Sequence, residues 1–118
     1  MMESIKTQRD DIVGFRVDGT TSEADMRPLL SKLREKLKSH RKLRLYVEYI
    51  DMNGFSMDTI LEDLKYNFGR LDTFEKAAVI TVKDNIDQAS LLANKMVEMK
   101  LRSFHFSEKA QAHQWIEE

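Results

Sequence analysis

The residues of this sequence best placed to do chemistry gather in one short segment, Asp51, Met52, Asn53, Gly54, Phe55 and Ser56. Gly54 lets the backbone approach a ligand closely. A helix starting at Met57 would direct free amides toward the same place, and such amides favour anions. Asp51 and Asp58 oppose an anion, however, whereas the apolar Met52 and Phe55 suit a protein partner or a hydrophobic ligand. An ordinary strand-to-helix turn also accounts for the segment. In that reading Asn53-Gly54 supplies the backbone geometry, Phe55 packs locally and Ser56 caps the following helix.

Methionines form a second set. Met52, Met57, Met96 and Met99 fall in this turn and on two helices predicted below. Their flexible, polarizable thioethers can line an adaptable apolar pocket, here together with Phe55 and Leu61, with Tyr66 and Phe68 nearby. Plain core filling is the alternative. A third feature is the basic run from Lys32 to Arg44, with Lys32, Arg34, Lys36, Lys38, Arg41, Lys42 and Arg44 against Glu35. Phosphate contact is one use for it. No nucleic-acid-binding signature accompanies it, so it reads as the solvated face of a helix and no nucleic acid is expected.

Catalytic arrangements are scarce. His40, His105 and His113 are far apart, without metal-ligand spacing. Asp51, Ser56 and a histidine can be drawn as a triad, but the GxSxG elbow is absent and nothing brings a histidine to that turn. Phosphate-binding loops of the GxGxxG and Walker types are missing. Asp10-Asp11 and Glu62-Asp63 are adjacent pairs, and adjacent side chains point apart. The expectation is a protein that is not an enzyme and uses no cofactor and no metal.

The elements that would position these residues alternate along the chain. Residues 3–7 and 11–18 read as two strands, the second half-buried by its period of two, joined in an antiparallel hairpin through Thr7-Gln8-Arg9-Asp10. Thr20 and Glu23 have capping-box spacing for a helix ending near 39–40, with Met26, Leu29, Leu30, Leu33 and Leu37 on one face. Pro28 is expected to kink or restart it. Strands follow at 43–50, 77–82 and 101–106, and helices at 57–70, 84–97 and after Ser107, which would cap the last. The order β-β-α-β-α-β-α-β-α predicts an α/β fold, a five-stranded mixed sheet with four helices.

With 118 residues, the chain suits one domain over 1–118 that buries its own core. Cysteine is absent, which excludes disulfides and thiol chemistry. A net charge of −1 gives no general attraction to nucleic acid or anionic membrane. The N-terminal residues lack the apolar core of a signal peptide, and no apolar run approaches the roughly 20 residues of a membrane span. A soluble cytoplasmic protein, not membrane-embedded, is expected. Self-association as a homodimer through a free sheet edge is a further option.

The element order and the segment Val47-Glu48-Tyr49-Ile50-Asp51-Met52-Asn53-Gly54-Phe55-Ser56 resemble the STAS fold of anti-sigma-factor antagonists. The SpoIIAA-like group, of the STAS/SEC14 type, is the closer match. Val13-Gly14-Phe15-Arg16, Lys42-Leu43-Arg44-Leu45, Glu62-Asp63-Leu64-Lys65 and Phe74-Glu75-Lys76-Ala77-Ala78-Val79 add to the likeness. In regulatory members an Asp-Ser-Ser-Gly loop follows the third strand, and a kinase phosphorylates a serine there. Asp51 and Gly54 match that loop, while Met52 and Asn53 stand at the serine positions. The resemblance thus implies a regulatory or protein-interaction module that is not phospho-switched at the usual place. Its SEC14-type side implies the rival reading, a carrier or sensor of a small hydrophobic ligand or lipid.

Overall fold

The computed structural model describes residues 2–18, 22–50, 66, 73–81 and 100–118. Strands β1 (Met2–Ile5), β2 (Ile12–Val17), β3 (Leu43–Tyr49), β4 (Phe74–Thr81) and β5 (Lys100–His105) form one mixed sheet in sequential order. The β1–β2 pair is antiparallel, as the hairpin reading expects, and the other three pairs are parallel. Helices α1 (Glu23–Leu37) and α2 (Lys109–Glu117) are described, with a 3-10 turn, Phe106–Glu108, leading into α2. The helices expected at 57–70 and 84–97 lie outside the described residues, apart from Tyr66, which is helical and exposed.

The period of two in the strands decides which helix covers which face. Val13, Phe15, Val17, Leu43, Leu45, Val47, Ala77 and Val79 point to one side and pack against Met26, Leu29, Leu30 and Leu33 of α1. Ile12, Tyr46, Ala78, Ile80 and Phe104 point to the other and meet Ala112 and Ile116 of α2. Each fully buried aliphatic side chain of this kind is worth roughly 1.5–3 kcal/mol. On its second face Ile12 joins the α2 cluster and Gly14 lies against Ile5 and Thr7, so β2 is buried on both sides rather than half-buried, with only Arg16 partly exposed.

Several boundaries differ from the sequence reading for local physical reasons. β1 stops at Ile5 because Thr7 turns away, its Oγ1 lying 2.6 Å from the carbonyl of Ile12 and 3.1 Å from that of Arg9. Gly14 permits this tight return, since a Cβ there would stand 2.9 Å from the Ile5 carbonyl oxygen. The box that caps α1 is Ser22 with Asp25, not Thr20 with Glu23: Ser22 Oγ accepts from the Asp25 amide and Asp25 Oδ2 accepts from the Ser22 amide. Glu23 is already the first helical residue. Pro28 neither breaks nor restarts α1. The carbonyl it leaves without an amide belongs to exposed Ala24, where water can serve it, and buried leucines hold the helix beyond.

β4 begins at Phe74, three residues before the expected start, because Phe74 is buried and pairs with Leu43. The charged Glu75 and Lys76 hid this start. Ser107 lies inside the 3-10 turn and does not cap α2. His105 caps the 3-10 turn, its Nδ1 accepting from the Ser107 amide while Glu108 Oε1 accepts from the His105 amide, and α2 itself starts after Glu108 without a side-chain cap.

Three cations anchor the far end of α2, where the last carbonyls of a helix run short of amide partners and the Glu118 amide is shared between Gln114 and Trp115. Lys76 Nζ donates to the carbonyl of Trp115, Arg44 Nη1 to that of Ile116 and Arg9 Nη1 to that of Glu117. Positive charge is favourable at this pole of the helix dipole. Arg44, 8% exposed and also bonded to Glu75, is therefore a structural anchor and does not belong to a solvated face.

Candidate functional site

The residues singled out in the sequence, Asp51 to Met57 with Leu61, Met96 and Met99, lie outside the described residues. The strand that precedes them in the chain is described. β3 ends at Tyr49, and the Ile50 amide bonds to the carbonyl of Val17 at 3.0 Å, fixing residue 50 beside the end of β2. Ile50 itself is 37% exposed. Residue 50 therefore lies at the carboxyl end of the parallel strands, the end at which such sheets meet ligands and partners.

Beside it lies a polar cluster that the sequence reading missed. Glu48 is on the α2 face of β3, with a side chain only 4% exposed. Its strand register puts it level with Arg16, which is level in turn with Glu3. Arg16 donates to Glu48 Oε1 through Nε at 3.2 Å and Nη2 at 3.0 Å, and its Nη1 lies 3.7 Å from Glu3. Lys109, the first residue of α2, reaches the same Glu48 oxygen at 3.3 Å and also sits over the Phe106 ring. Tyr46 donates its hydroxyl to Glu48 Oε2 at 3.2 Å, and its ring stacks on His113 with centroids 4.3 Å apart. A row of charge thus runs β1–β2–β3–α2.

This electrostatic arrangement closes the cluster to acid–base work. Burial alone would raise the Glu48 carboxyl, but the bonds from Arg16, Lys109 and Tyr46 outweigh it and hold the carboxyl below its ordinary range. Burial, then the neighbouring Glu48 charge, push the Tyr46 hydroxyl up. Near neutrality one stays a carboxylate and the other a phenol. Their polar atoms are spent on tying α2 to the sheet. One signal in the sequence pointed here: a lone glutamate inside the apolar run Leu45-Tyr46-Val47-Glu48-Tyr49-Ile50.

The histidines are separate, as their spacing implied. His40 lies against Asp10, His105 caps the 3-10 turn and His113 stacks on Tyr46. Among the described residues, no cluster of three or more histidine, aspartate or glutamate side chains is arranged to hold a metal ion. Likewise no described helix is long and apolar enough to cross a membrane. A family model described as SpoIIAA-like matches residues 12–117. No curated protein and no solved structure matches the chain.

Proposed function

The chain belongs to the SpoIIAA-like family, and from that premise we propose that it acts in the cytoplasm as a non-catalytic regulatory or protein-interaction module whose contact region is the 51–57 turn. The observation that carries the proposal is the placement of residue 50. It is partly exposed and bonded to the end of β2, at the carboxyl edge of a sheet covered on both faces. Behind it, the Glu48 cluster is internally satisfied and contributes rigidity rather than reactive groups. In this reading the switch does not depend on phosphorylation at the usual loop position, where Met52 and Asn53 stand.

Affinity capture tests the idea with the purified chain and its Phe55→Asp variant. A stoichiometric protein partner held by the first and lost by the second is expected. Equal capture by both, or none by either, overturns the assignment to this turn. Native mass spectrometry of gently purified protein addresses the rival carrier function. A co-purifying lipid-like mass, lost on mutation of Met96 and Met99, would replace the interaction reading with it.

A further inference from the structure

A second feature lies at the opposite end of the sheet and is independent of the 51–57 turn. A groove with a volume of about 360 Å³ runs between the β1–β2 connection and α1. Its position follows from the register: Ile12, at its floor, begins β2 and is level with Arg44 near the start of the parallel β3. Lys6 and Arg9 line it from the connection, and Lys32 and Lys36 line it from α1, where their spacing of four puts them on one helix face. Asp10 is its single carboxylate.

Pairing within the groove decides what is left over. Arg9 is held by Asp11 through Nε at 3.0 Å and Nη2 at 2.7 Å. Lys36 donates to Asp10 at 2.9 Å, and His40 engages the other oxygen of the same carboxylate. Lys6 and Lys32 have no carboxylate partner among the described residues. Two uncompensated cations thus face one concave space, backed by two more whose charge is only locally balanced, in a chain whose net charge is −1. Concentrated positive charge in a concavity raises the local concentration of anions.

We propose that this groove binds a small, multiply charged soluble anion of the phosphate or polyphosphate class, held by Lys6 and Lys32 with Lys36 at its edge. The concave shape and modest volume favour a small solute over a nucleic acid, whose backbone needs a longer track of cations. Binding weakens with salt, because the site is open to solvent and screened. An anion seated there competes with Asp10 for Lys36.

Titration of the amide NMR spectrum with sodium pyrophosphate at low ionic strength tests the site. Saturable shifts confined to residues 6–10, 32 and 36 are expected. Lys6→Glu and Lys32→Glu should each weaken binding about tenfold or more, and Lys6→Met with Lys32→Met, which keeps the apolar stems, should do the same with an unchanged circular dichroism spectrum. Lys38→Glu, an exposed change just past the end of α1 and outside the groove, should leave binding as it was. An absence of saturable shifts, or equal weakening by Lys38→Glu, overturns the proposal. So does binding of a DNA duplex or an anionic vesicle under conditions where pyrophosphate does not bind.

Discussion

Replacing Glu48 by glutamine keeps the size and shape of a side chain that is 4% exposed and removes its charge. Two cations then lose their shared counter-ion. Hydrogen bonds to charged groups contribute about 1.5–3 kcal/mol each, and removing one partner of a fully buried ion pair costs about 3–5 kcal/mol. Arg16 and Lys109 are each 39% exposed, so water takes up part of their charge, and the lower end applies. A loss of about 2 kcal/mol is expected, or a fall in Tm of about 8 °C at roughly 4 °C per kcal/mol for a domain of this size. Urea unfolding followed by Trp115 fluorescence, with Arg16→Met and the double variant completing a cycle, measures it.

The pH dependence of the same variant has a fixed sign. The folded-state carboxyl is held below its ordinary value of 4.5, so its stabilising effect is present above that value and is lost as pH falls through the folded one. Glu48→Gln should therefore lose less stability on acidification than the parent chain. A loss below about 0.5 kcal/mol at neutral pH, or an unchanged acid limb, would refute the argument that this cluster fastens α2 to the sheet.

Two further outcomes are open to direct measurement. Pro28→Ala restores an amide on an exposed turn of α1 and should raise stability by about 1–3 kcal/mol, after allowance for the looser unfolded chain; an unchanged or lower midpoint in urea shows that proline is not a defect there. The Asp10 carboxyl should titrate by NMR at about 2, below the ordinary 3.8, because His40 and then Lys36 hydrogen-bond its charged form. Its stabilising effect is complete above that ordinary value and disappears as pH falls toward about 2. A native midpoint near 3.8, or one that Lys36→Met with His40→Ala leaves in place, contradicts this account.

The sheet was legible in the sequence because its code is local. Alternation in β2 and apolar runs in β3 and β4 marked the strands, and the leucine stripe of α1 marked the helix that covers one face. The start of β4 was misread because it is set by non-local contacts. Glu75 and Lys76 fall before the strand expected at 77–82, yet they serve Arg44 and the end of α2. Arg44 read as one more surface cation because nothing near it in sequence reveals the Ile116 carbonyl, 72 positions away. The Glu48 cluster draws its partners from β2, β3 and α2, so only the assembled sheet brings them together. The 51–57 turn drew notice for its residue types, which need no tertiary information.

The cationic anchor at the end of α2 also bears on how the domain assembles. Arg9 and Glu117 are 108 positions apart, and the other two donors come from β3 and β4. Closing so long a loop is entropically costly before its contacts form. All three bonds are made together only when the hairpin and both central strands stand in register, so full docking of α2 reports on completion of that part of the sheet. Until then Tyr46 and Ile80 lack the cover of Ala112 and Ile116, leaving an apolar sheet face open to wrong partners. The helix held by the three cations is thus also the cover of that apolar face.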